Sequence, residues 1–246
     1  MKSIFYFLGI FTSAFCYIYC ADINSLDDTD AVLNLANNLT EMELRAKANV
    51  GDGMAMAALG YVLTNEPKPT KQEMDEGILW LRKAADKNSA YALEWLGVIY
   101  GSEEKGYWDP KTAVECWTKS RDLGMVWAAR DLGRFYATKA KPIDLRKAFI
   151  NYEMAAQKGE LDSILYIAGA YLRGGEGVDK NQAYGITLLN RILDDPRAKI
   201  ELAKCYLNGI GVKKNIDLSK KMLGEVASDK DNIYSKDAAS LLLKIK

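Results

Sequence analysis

The sequence contains no histidine. That removes the side chain most used as a general base near neutral pH, and with it the commonest zinc ligand. Net charge is also missing: 33 Lys and Arg face 33 Asp and Glu, so no overall basic surplus recruits nucleic acid or anionic lipid. Cysteine is scarce, with Cys16, Cys20, Cys116 and Cys205 the only four. Cys116 and Cys205 are 89 residues apart and are expected to be buried thiols rather than a disulfide. No apolar run reaches the ~20 residues of a membrane span. The longest, Ile4 to Tyr19, is broken by Thr12 and Ser13.

Catalytic motifs are equally thin. Ser102-Glu103-Glu104-Lys105 matches the Ser-x-x-Lys of penicillin-recognising hydrolases, but the companion Lys-Thr-Gly is absent and the segment reads as a loop. Asp27-Asp28-Thr29-Asp30 lacks the central Gly and distal Glu of a calcium loop, so it reads as a helix N-cap. The glycines in Gly174-Gly175-Glu176-Gly177 and Gly209-Ile210-Gly211 follow no strand pattern and precede no Gly-Lys-Ser/Thr. They read as interhelical turns rather than a phosphate cradle. The expectation is a protein that is not an enzyme and holds no cofactor or metal. A β-lactam- or peptidoglycan-directed enzyme is the last of the alternatives.

At the N-terminus, one positive charge, a short apolar core and a polar continuation at Asp22 read as a secretory signal. Residues 1–20 are assigned to it, with cleavage after Cys20; an uncleaved anchor and a lipoprotein are the other two readings. The mature chain, 21–246, is then expected in a bacterial periplasm or secreted, with no stable membrane span. Signal removal takes away one charge, Lys2.

The rest of the chain repeats one phrase. Its best copy is Ala92-Leu93-Glu94-Trp95-Leu96-Gly97-Val98-Ile99-Tyr100. It returns as Ala128…Leu132-Gly133…Tyr136, as Ser163…Ile167-Ala168…Tyr171, as Ala198…Leu202-Ala203…Tyr206, and earlier as Ala55…Leu59-Gly60…Leu63. The opening small residue advances by 37, 36, 35 and 35, the mark of a solenoid. Each phrase is followed by a second helical pattern that stops at Asn88, Gly124, Gly159 or Asp194, four residues before the next opener. The fold class predicted is all-α, an α/α superhelix of about five helix pairs. An N-terminal half-repeat, one helix over 27–50, precedes repeats at about 51–88, 89–124, 125–159, 160–194 and 195–231. A C-terminal cap covers 232–246.

The small-x₃-Leu-Gly-x₂-Tyr helix, the Gly-x-Gly-Val loop and the Ala-x₃-aromatic-x₂-Ala-Ala-x₂-Gly helix resemble Sel-one-like repeats, relatives of tetratricopeptide repeats. The resemblance covers nearly the whole mature chain. It departs at Leu63, which replaces the Tyr, and at Ala168 and Ala203, which replace the Gly. It implies a superhelical scaffold for protein complexes, with the free arc of each first helix lining a concave groove.

Helical arithmetic sorts the phrase into two arcs. At ~100° per residue the opener, Leu, Gly and Tyr share the packing arc. The opposite arc holds Tyr91 and Trp95, then Trp127, Asp131 and Arg134, then Asp162 and Tyr166, then Arg197, Glu201 and Lys204. The partner-binding candidates are Tyr91, Trp95, Trp127, Arg130, Asp131, Arg134 and Tyr166, because Trp, Tyr and Arg dominate binding hot spots. Equally open is that these aromatics pack against the neighbouring first helix. Tyr107 and Trp108 are a second patch or a local plug. The partner expected is a protein, a secreted toxin or an envelope protein. An immunity protein that neutralises a secreted antibacterial lipase is the specific alternative.

Overall fold

The computed structural model describes residues 28–175 and 178–245. The expected signal peptide lies outside them. Thirteen helices occur among the described residues, and the only β-contact there is an isolated bridge between Gly175 and Val178. Two short helices, α1 (Thr29–Asn38) and α2 (Glu41–Asn49), come first. Five pairs follow: α3 (Gly53–Asn65) with α4 (Lys71–Ala85), α5 (Ala90–Tyr100) with α6 (Pro110–Asp122), and α7 (Val126–Thr138) with α8 (Leu145–Gln157). The last two are α9 (Leu161–Arg173) with α10 (Gln182–Arg191), and α11 (Pro196–Asn208) with α12 (Ile216–Ser228). Helix α13 (Ser235–Lys244) closes the series and packs on α12. The chain forms two compact units, divided within α7 between Ala129 and Arg130.

Side-chain caps set most helix starts. Thr40, Asp52, Thr70, Ser89, Asp109, Asp144, Glu160, Asn181, Asp195 and Asn215 each accept a backbone N–H from the first turn that follows. Second helices end as expected where Asn88, Gly124 and Gly159 adopt positive φ, a conformation that costs Gly little. Helix α10 ends at Arg191, as far before Asp194 as α4 ends before Asn88, but Asp194 does not adopt positive φ.

The single helix expected over 27–50 is two helices. Thr40 and Glu43 form a capping box, each side chain accepting the other's backbone N–H, and this restarts the chain at Glu41. The acidic stretch before α1 also departs from expectation. Asp28 makes no side-chain cap to α1. Its carboxylate accepts the Ser89 hydroxyl and the Tyr91 N–H at 2.9 Å, so it caps α5 from a distance in sequence.

The packing arc sits where the periodicity puts it. The openers Ala55, Ala92, Ala128, Ser163 and Ala198 are fully buried, the Leu/Ile and Gly/Ala positions after them are buried, and the last position of the arc is buried at Leu63 and Tyr100 and half-buried at Tyr136, Tyr171 and Tyr206. The smallness of these positions has a local cause. A β-carbon on Gly60 would lie 2.6 Å from Leu81 and 2.8 Å from the Gly77 carbonyl. On Gly133 it would lie 2.8 Å from the Tyr152 ring, and on Gly97 it would lie 2.4 Å from the Trp117 ring. Where the first helix has Ala168, the facing position is Gly185, whose β-carbon would lie 2.9 Å from the Ala168 carbonyl. Where it has Ala203, the facing residue is Ser219, whose hydroxyl donates to the Ala203 carbonyl at 2.8 Å. The departures from the Gly position are therefore met by a small or hydrogen-bonding residue across the pair.

Candidate functional site

The free arc divides between the two units. In the first unit, Tyr91 on α5 is buried, 3% exposed. Its ring meets Tyr61 of α3 edge-on at 5.7 Å. Trp95 meets the same Tyr61 at 5.0 Å, and its indole N–H donates to Thr64 Oγ1 at 2.7 Å. These two aromatics thus fill the gap between neighbouring first helices, and only part of Trp95 reaches the surface. Lys105 Nζ lies 5.4 Å from the Trp95 ring and donates to the Thr64 carbonyl at 3.2 Å. Partial burial lowers the pKa of this amine. The lysine of the Ser-x-x-Lys match is thus directed at α3. Tyr107 donates to Asp75 of α4, which raises its phenol to about 12 and pins the loop, while Trp108 next to it stays exposed. Trp127, in the first turn of α7, is 39% exposed.

In the second unit, Asp131 is 1% exposed and accepts from Arg130 at 2.9 Å and from Arg134 at 3.1 Å. A carboxylate this buried holds its own arginines rather than a partner's cation. Arg130 also approaches Glu160, while the Arg134 side chain stays 62% exposed. Tyr166 lies half-buried with its ring stacked on Tyr152 of α8, centroids 4.0 Å apart. Burial pushes the Tyr152 phenol up to about 12. The other two carboxylates of the arc also have cations: Arg197 donates to Asp162, and Lys204 to Glu201 at 2.6 Å. No three Cys, Asp or Glu side chains converge to hold a metal ion among the described residues.

What the second unit does build is a cleft of about 930 Å³ between α9, α11 and α13. Leu165, Leu172, Ile200 and Leu241 give it apolar walls. Tyr166, Arg197, Glu201 and Lys204, placed on the free arc by spacing alone, line it together. Helix α13 adds Asp237 and Lys244, which sequence reasoning assigned only to a cap. The sequence signal for them was the amphipathic spacing of Ala238, Leu241 and Leu242 in the last helix. Among the described residues, Cys205 is buried and Cys116 half-buried, both are free thiols, and burial raises each to about 11.

Among the described residues, no helix is long and apolar enough to cross a membrane. Residues 53–89, 90–125, 128–160, 162–192 and 196–225 match the family model for the Sel1 repeat. Among solved structures, the chain is similar to a protective antigen present in uropathogenic Escherichia coli strains that displays an SLR fold. There the TM-score is 0.70 at 22% identity over 90% of this chain, which spans 50% of that protein's length. It is also similar to a Sel1 repeat protein from Oxalobacter formigenes, with a TM-score of 0.65 at 20% identity, covering 88% of this chain and 86% of that one. Likeness at these identities establishes the fold. The five matched repeats place the chain in the Sel1 repeat family, a scaffold type that generally serves protein–protein interaction.

Proposed function

We propose that this protein is an exported scaffold that binds a protein partner on the face formed by its first helices. The observation that carries this reading is the cleft between α9, α11 and α13, lined by the positions that vary between repeats while the packing positions stay constant. Recurring residues are consumed in building the solenoid, so recognition falls to those between them. Exposed Trp127 and Arg134 extend the candidate surface within their own units.

A photo-cross-linking residue placed at Trp127, Arg134 or Lys204 tests this in the intact envelope. Exposed second-helix positions, Leu79 and Ile150, serve as controls. First-helix positions are expected to give a protein adduct and the controls none. Adducts confined to Leu79 and Ile150 would overturn the reading. If the adduct is a secreted antibacterial lipase, the protein is its immunity factor. Export has its own test: the mature protein should be recovered from the periplasm or medium with Ala21 as its first residue. Recovery from the cytoplasm starting at Met1 would refute it.

A further inference from the structure

The neutral total conceals an asymmetry. Residues 130–246 carry 21 Lys and Arg against 15 Asp and Glu, a net +6, and the residues before them carry a net −6. Many acidic groups of the second unit are also spent internally. Asp131 is buried under two arginines, Asp144, Glu160 and Asp195 cap helices, and Asp162 is held by Arg197. Lys244, on the cleft wall, is exposed and makes no ion pair among the described residues. Lys204 pairs only with Glu201, three residues before it on the same exposed helix face. Such a pair is worth little in water and exchanges readily for another carboxylate.

From this combination we infer that the cleft between α9, α11 and α13 receives an extended acidic segment of the partner protein. Lys204 and Lys244 take its carboxylates, and Leu165, Ile200 and Leu241 take its apolar side chains. The inference rests on the first-helix reading above and names the chemistry of the occupant. A bilayer surface does not enter a cleft recessed between helices. Nucleic acid favours open aromatic faces for stacking, whereas Tyr166 already stacks on Tyr152. Apolar walls and a rim on which Arg173, Arg197, Lys204 and Lys244 outnumber Glu201 and Asp237 suit a peptide that carries both acidic and large aliphatic side chains.

The test is fluorescence anisotropy with the purified full chain and labelled eight-residue peptides. One alternates Glu and Leu, a second Gln and Leu, and a third Lys and Leu. The Glu peptide is expected to bind at least tenfold more tightly than the Gln peptide, the Lys peptide not at all, and the preference to shrink between 50 and 300 mM salt, where the Debye length falls about 2.4-fold. Lys204→Glu with Lys244→Glu should weaken Glu-peptide binding at least tenfold with an unchanged circular-dichroism melting curve. Lys213→Glu with Lys214→Glu alters the unit's charge equally but lies off the cleft, and should change affinity less than twofold. Equal binding of the Glu and Gln peptides overturns the proposal, as does equal damage from the two double reversals. Tighter binding of a single-stranded oligonucleotide or of phosphatidylglycerol vesicles also overturns it. So does salt-sensitive self-association that the Glu peptide fails to disrupt, because the occupant is then a second copy. If peptide preference fails while Lys204 still cross-links a protein, only the acidic assignment falls. If Lys204 cross-links nothing, the first-helix reading falls for this cleft.

Discussion

Gly97 shows how much one residue decides. Its missing side chain is the space that Trp117 occupies. Gly97→Leu is expected to destabilise the first unit by roughly 1–3 kcal/mol through overpacking, read as a lower melting temperature. Gly97→Leu combined with Trp117→Ala should cost less than the two single changes added, because the ring that clashes is gone. Strict additivity would mean that the two residues do not share the site. Cys116 and Cys205 make the second residue-scale case. Both thiols are pushed up to about 11 by burial, so at pH 7.5 they are protonated and poor nucleophiles. Peptide mass spectrometry after brief iodoacetamide treatment should find both largely unmodified in the native protein and fully alkylated in denaturant. At this scale the sequence was readable where a residue recurs, as at Ala92, Leu96 and Gly97. Tyr91 and Trp95 were ambiguous for a physical reason. A first helix touches its partner helix and its neighbours in the array, so both arcs bury surface and a 3.6-residue period no longer separates inside from outside.

Helices here are defined at their ends more than along their length. The Thr40–Glu43 capping box splits a segment that hydrophobic spacing reads as continuous, because the Thr-x-x-Glu signal lies among strong helix formers that mask it. Thr40→Ala is expected to cost about 1 kcal/mol, seen as faster amide exchange in Glu41–Asn49 without a change in the second unit. Helix α11 provides a pH-dependent counterpart. Asp195 is its N-cap, and the Arg197 guanidinium beside it, with the Arg197 N–H, holds the carboxyl below its ordinary value of 3.8. A carboxyl with a folded pKa below its unfolded one stabilises the fold fully above the unfolded value. That contribution fades as pH falls below 3.8 and through the folded value. The stability gap between the protein and Asp195→Asn, measured by urea unfolding, should therefore be largest near pH 7 and close progressively below pH 4. A gap that stays constant down to pH 2 would show that the Arg197 pairing contributes nothing.

At the scale of the molecule, the solenoid was legible because five copies of one phrase recur at a 35- to 37-residue period, and repetition averages out the local ambiguity of any single helix. The cleft was legible only in part. Spacing put Tyr166, Arg197, Glu201 and Lys204 on one arc, but the wall contributed by α13 depends on a tertiary placement that no local pattern encodes. The charge asymmetry between the two units cancels in the total. Repeat arrays are quasi-one-dimensional, so a helix draws stability from its neighbours on either side. Helix α9 packs against α8 and α10, whereas α13 packs on α12 and buries only Ala238 fully. Hydrogen exchange followed by mass spectrometry should then give a gradient in the second unit, with α9 amides the most protected and α13 amides exchanging first. Because α13 is also a wall of the cleft, binding the Glu–Leu peptide should slow exchange in α13 more than in α10, which lies outside the main walls. Protection of α13 equal to that of α9 in the free protein would mean that the last helix is held by more than its nearest neighbour, and the one-dimensional account would fail there.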